Sequence, residues 1–147
     1  FQVCKALQKH YPLRFSVKNV SKLRDLERGF AELSRSGGVM RCCVACLDGL
    51  AVRIQCPTAK DTDKAAAFFN RKRFYSVNTQ AMCDSDLRFV WFSCSYPGSC
   101  HDWAAFSGTS LGRYLEEVGL PDPFCIFADA AYVASRSIVT PFSGNLV

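Results

Sequence analysis

The sequence predicts an α/β fold in which a helical preamble feeds a mixed sheet. Three observations carry that reading. Apolar residues recur at helical spacing before Gly37-Gly38, and a near-continuous apolar run of β-formers follows it. Further extended segments then come after that run, interrupted by one helix.

The preamble covers residues 1–38. Val3, Leu7 and His10 or Tyr11 share one face of a first helix, which Pro12 breaks. A second helix starts near Ser21, a candidate N-cap, with Leu23, Leu26, Phe30 and Leu33 on one face, and Gly37-Gly38 ends it. Residues 39–147 then form the core unit. VMRCCVACLDGLAVRI reads as a strand buried on both faces, broken at mid-length by Asp48-Gly49. Residues 55–72 are polar and loop-like. FYSVNTQAMC (74–83) and LRFVWFSCS (87–95) follow as two strands, joined through Asp84-Ser85-Asp86 as a hairpin. Pro97-Gly98 makes a turn, and Ser99 or Asp102 caps a helix running to about Val118, its buried face supplied by Trp103, Phe106, Leu111 and Leu115. A short strand, Phe124 to Ala128, ends on Asp129, and Ser137 to Phe142 is a last extended piece.

Composition narrows the class. A chain of 147 residues suits one domain, and with 49% apolar residues and twelve Phe it can bury a core, which excludes disorder. A net charge of +5 and a pI near 8.8 permit a polyanionic partner without demanding one. The nine cysteines sit mostly in apolar runs (CCVAC, FSCS, FCIF) and read as small buried hydrophobes of a reducing, intracellular compartment. No stretch approaches the roughly 18 apolar residues that span a bilayer, so no membrane is expected. The N-terminus lacks an initiating Met and a signal peptide's apolar core, and the chain reads as a piece of something longer.

Two aspartates stand out. Asp48 interrupts one apolar strand and Asp129 ends another, and neither has a Lys or Arg within three residues. A carboxylate removed from water needs a partner. A divalent cation shared by two carboxylates, retained waters and a substrate phosphate is one such partner, and it is the basis of metal-assisted phosphoryl transfer. The plainer alternatives stay open. Asp48-Gly49 also fits a hairpin turn, and Asp129 also fits the cap of a helix starting at Ala130.

The ordered set CLDGLAVRI, NRKRFYSVNTQAMCD, YPGSCHDWAAF, FADAAY and IVTPF resembles the endonuclease domain of PIF/Harbinger DDE transposases and their domesticated relatives. The corresponding family motifs are an IDGT-like strand, an N-x-K-x-x-x-S-x-N-x-Q strand start, a G-S-x-H-D turn, a GDxAYP-like strand end and a TPY-like segment. The resemblance covers about residues 20–145. It implies an RNase H-like mixed sheet, three antiparallel strands plus parallel strands, preceded by helices and truncated at its C-terminal part. The first and fourth strands would be adjacent, setting Asp48 and Asp129 side by side as the first two catalytic and metal-binding acids, with Mg²⁺ or Mn²⁺ as cofactor. It also implies DNA as substrate, a separate DNA-binding partner protein and a nuclear location. The family's third acid, a Glu on a later helix, would fall past Val147. Leu50, Ala128 and Val133 replace the Thr, Gly and Pro of the pattern. The rival expectation is a domesticated or truncated relative that keeps the fold as an inactive DNA- or protein-binding module.

Other residues join this reading. His101 and Asp102 are near-site residues by resemblance; Asp102 equally fits a helix N-cap, and His101 either contacts a phosphate or packs. Arg71, Lys72 and Arg73, beside Phe74 and Tyr75, suit a DNA backbone, or else a solvated strand end. Cys43-x2-Cys46 lacks a second ligand pair, and strand alternation sends its thiols to opposite faces, which argues against zinc.

Overall fold

Strand β1, Cys43–Arg53, is the centre of the molecule, and its neighbours explain the rest of the architecture. The computed structural model describes Lys9, Leu13, Gly38 and residues 15–34 and 40–141. Helix α1 spans Val20–Leu33. After β1 come a 3₁₀ turn (Ala65–Phe68), β2 (Ser76–Cys83), β3 (Phe89–Pro97), α2 (Asp102–Ser107), α3 (Ser110–Glu117), β4 (Cys125–Ala128) and β5 (Ile138–Val139). The five strands form one sheet in the order β3-β2-β1-β4-β5. β1, β2 and β3 are antiparallel, whereas β4 pairs parallel with β1, and β5 with β4. This is the α/β mixed sheet expected, with β1 and β4 adjacent, consistent with an RNase H-like fold.

Several elements depart from the sequence reading for identifiable reasons. Apart from Lys9, the helix expected over residues 1–12 lies outside the described residues. Asn19, not Ser21, caps α1, its Oδ1 accepting from Lys22 N at 3.1 Å. Asp48-Gly49 is no turn: β1 runs through it, paired with Ala81 and Gln80 of β2. The single helix expected up to Val118 is two, because Thr109 ends one and starts the next. Its hydroxyl donates to Phe106 O at 2.7 Å and accepts from Gly112 N at 2.9 Å. The hairpin through Asp84-Ser85-Asp86 forms as expected, with Asp84 Oδ1 accepting from Asp86 N and Arg88 N.

The core gathers Val44, Ala45 and Leu47 of β1, Met82, Val90 and Ile126 of the flanking strands, and helix residues Leu23, Phe106, Leu111 and Leu115. Phe106 lies at its middle, edge-on to Trp91 at 5.9 Å and to Tyr132 at 6.0 Å. Such aromatic pairs contribute roughly 0.5–1.5 kcal/mol beyond the area they bury. They also fix α2 against the sheet, which sets the position of the turn before it.

Candidate active site at the ends of the parallel pair

Cys46↔Phe127 and Leu47↔Ala128 are the last paired residues of β1 and β4, and the next residue on each chain is an aspartate. Neighbouring strands lie about 4.8 Å apart, so Asp48 and Asp129 stand side by side where the parallel pair ends. β1 continues to Arg53 beside β2, but β4 stops, leaving this end open. Both aspartates are exposed, which corrects the expectation of a carboxylate taken out of water in apolar surroundings. The apolar residues of β1 are buried only up to Leu47. Asp48 Oδ1 accepts from Gly49 N at 2.7 Å, and Asp129 Oδ1 from Ala131 N at 2.9 Å. The latter is a side-chain turn rather than the cap of a helix from Ala130.

Asp102 takes part in a different arrangement. The N-cap position of α2 is His101, which makes no side-chain capping bond, so the capping alternative for Asp102 is overturned. Instead Asp102 Oδ1 accepts from Asn78 Nδ2 at 2.9 Å and from Gln80 Nε2 at 3.1 Å. Gln80 Nε2 also donates to Asn78 Oδ1 at 2.7 Å, and the Tyr132 hydroxyl donates to Gln80 Oε1 at 2.6 Å. The carboxylate therefore rests on two amide donors, and the buried side chains of Asn78, Gln80 and Tyr132 pair with one another or with Asp102. Asp102 lies against bare backbone: a Cβ on Gly49 would meet its Oδ1 at 2.1 Å. Burial pushes the Tyr132 hydroxyl well above its ordinary range, and the charges of Asp102, Asp48 and Asp129 add to the shift. All three carboxylates thus act on one phenol.

The basic triplet occupies the exposed turn before β2, held from below. Asn70 Oδ1 accepts from Lys72 N and Phe74 N, and Asn70 Nδ2 donates to Ser76 Oγ at 2.7 Å. A groove of about 430 Å³ runs from this turn to the site, with Arg71, Lys72, exposed His101, Asp102, Gly49 and Ala131 among its walls. Arg73 lies outside that lining. Among the described residues, no group of three or more His, Cys, Asp or Glu is arranged to hold a metal. Asp102 is accordingly no third partner of Asp48 and Asp129.

Asn78, Gln80 and Tyr132 were not singled out from the sequence, yet a signal existed. Asn70, Ser76, Asn78 and Gln80 are fixed letters of the strand-start motif, and all four are buried, at 5%, 0%, 7% and 1% exposure.

Residues 47–146 match the family of DDE superfamily endonucleases. The chain belongs to that family. The match begins one residue before Asp48 and takes in the groove, the network and Asp129. Comparison with curated proteins and with solved structures gave no match. DDE superfamily endonucleases act on DNA and depend in general on divalent metal.

Proposed function

We propose that this DDE endonuclease chain is the catalytic core of a PIF/Harbinger-type transposase or of a nuclear descendant of one, with Asp48 and Asp129 as its metal ligands. The observation that supports the reading is the register of the parallel pair, which continues onto two adjacent aspartates. Two exposed carboxylates suit Mg²⁺ or Mn²⁺, which keep several waters and share a phosphate oxygen with few protein ligands. The ion would supply Lewis-acid stabilisation of the phosphodiester. The chain's own residues do the rest. Arg71, Lys72 and Arg73 hold the DNA backbone, His101 contacts a phosphate in the groove, and Gln80, Asp102 and Tyr132 fix the turn that carries Asp129. Sequence specificity comes from a separate DNA-binding partner protein, since the basic turn reads phosphates rather than bases.

Asp48 and Asp129 are neighbours by register, and no group of three or more His, Cys, Asp or Glu among the described residues is arranged to hold a metal, so on this reading the 147-residue chain by itself binds metal weakly and does not cut DNA. The same observation favours, as a second reading, an inactive binding module built on this fold. Calorimetric titration with Mn²⁺ tests the metal assignment: Asp48→Asn and Asp129→Asn should each abolish the heat of binding. Unchanged affinity in both variants would remove the site. Cleavage of DNA by the isolated chain in Mn²⁺ would contradict this reading of a two-carboxylate site.

A further inference from the structure

The turn that carries the basic triplet is a small hairpin with aromatic residues at its base. Phe69 and Tyr75 bridge antiparallel across it, Asn70 N donates to Phe74 O at 2.9 Å, and Arg73 N donates to Asn70 O at 3.0 Å. Phe69 makes a T-shaped contact with Tyr75, ring centroids 5.2 Å apart, and remains 45% exposed. Arg53, the last residue of β1, lies over the Phe74 ring at 4.1 Å from its centroid. We propose that this hairpin binds unpaired DNA, with phosphates on Arg53, Arg71, Lys72 and Arg73 and one unstacked base on the ring of Phe69. The inference rests on the reading that DNA is the substrate, and adds that the strand crossing this turn is single.

Charge selects a polyanion. Arg53, Arg71, Lys72 and Arg73 are all exposed. Among the described residues none of the four is ion-paired with a carboxylate, whereas Arg28, Arg88 and Arg136 are. The charges are also held in place before any ligand arrives. Asn70 fixes the backbone of the turn through Lys72 N and Phe74 N, and Arg53 rests on an aromatic face. Less ordering is then left to be done on binding. Arg73 has φ 64°, a left-handed conformation that favours glycine, yet this position too carries a cation.

The exposed ring selects an unpaired strand over a duplex. Inside a duplex both faces of every base are covered by its neighbours, so no base offers a face to a phenyl ring. An unpaired base does, and such stacking tolerates any base because each has a π-face. Phe89 is also an exposed phenyl, at 65%, but the adjacent Arg88 is paired with Asp84 and Asp86 and leaves no uncompensated charge beside it. Position completes the case. Arg71 and Lys72 line the groove that reaches Gly49 and Asp102, whereas Phe69 and Arg73 lie outside that lining. A strand leaving the groove over the turn therefore passes from the cations onto Phe69.

The test is fluorescence anisotropy of the full chain in EDTA, so that neither metal nor cleavage enters. Three DNAs are compared at one salt concentration: a blunt duplex, the same duplex with a single-stranded dT tail, and the same duplex with an equally long abasic tail. The two tails carry equal numbers of phosphates and differ only in bases. Wild type should prefer the dT tail over the abasic tail by roughly 5- to 150-fold, the range for one stacked base. Phe69→Leu keeps apolar bulk against Tyr75 but has no π-face; it should erase that preference and bind the blunt duplex as wild type does. Phe69→Trp should keep the preference. Wild type that binds all three DNAs without distinguishing the tails overturns the proposal and leaves DNA as the substrate. So does a Phe69→Leu variant that still prefers the dT tail, or one that weakens on the blunt duplex as much as on the tailed one. Wild type that binds none of the three overturns the DNA reading itself, and this proposal with it.

Discussion

Tyr132 donates a 2.6 Å hydrogen bond to Gln80, 52 residues away in sequence. It ties the turn that carries Asp129 to the strand beside the one that carries Asp48. Gln80 passes the connection on to Asp102 at the head of α2. One buried amide therefore joins β2, the turn after β4 and the start of α2, three segments that contact the candidate site from different sides. The exposed aspartates themselves make only local bonds to the backbone. Their placement depends on what lies behind them.

Tyr132→Phe should destabilise the fold by about 1–3 kcal/mol, because the buried Gln80 Oε1 loses its partner and keeps its desolvation cost. Urea denaturation measures this directly. Gln80→Met on top of Tyr132→Phe should cost less than the sum of the two single changes, since the second removes the orphaned acceptor. Additive costs would mean that the bond carries no coupling.

Gly49→Ala places a methyl group 2.1 Å from Asp102 Oδ1 and 2.9 Å from Gln80 Nε2. Neither atom can withdraw without breaking bonds to Asn78 or Tyr132. Overpacking of this kind costs typically about 1–3 kcal/mol. The expected result is a lower urea midpoint. Leu50→Ala, on the 60% exposed neighbour, should leave it almost unchanged. Equal effects at the two positions would show that the close approach is unimportant.

The sheet was legible because its strands are rich in β-formers and its hairpin is marked by Asp84 and Asp86. The side-by-side aspartates were legible through motif order, not through burial. Asp48 is exposed, so a stranded buried charge is not what marks it. The network was invisible to periodicity for a physical reason. In SVNTQAM the polar letters alternate with the rest, which normally marks a solvent face. Here that face turns inward, because Ser76, Asn78 and Gln80 pair with Asn70, Asp102 and Tyr132. Partners up to 52 residues away cannot be read from a window of seven. The bulge between Cys43 and Ala45, which brings the Cys43 and Cys46 thiols together rather than onto opposite faces, was hidden in the same way, since alternation presumes an unbroken register.

Alkaline pH gives an independent probe of Tyr132. Its folded pKa is raised above the ordinary value near 10. A raised pKa contributes stability that is fully present below the unfolded value and is lost as pH climbs through the folded one. Wild-type stability should therefore fall above about pH 10, on top of an earlier decline from buried thiols such as Cys125, which is pushed up to about 11. Tyr132→Phe lacks the phenol contribution. The stability gap between wild type and variant should hold steady below pH 10 and narrow above it. A gap that stays level above pH 10 would mean an unshifted phenol, in water rather than in the network.

The basic turn should show itself in salt dependence rather than in sequence preference. Arg71, Lys72 and Arg73 are exposed, with the backbone of their turn pinned by Asn70, an arrangement that presents charge without ordering it toward any base edge. Each phosphate contact on duplex DNA contributes about 0.9 to the slope of log affinity against log salt. Replacing all three with Ala should flatten that slope by roughly 2–3 and weaken binding to unrelated duplexes by similar factors. Fluorescence anisotropy across a salt series measures both quantities. A slope left intact would move the DNA path away from this groove, and a loss confined to one duplex sequence would show that the turn reads bases after all.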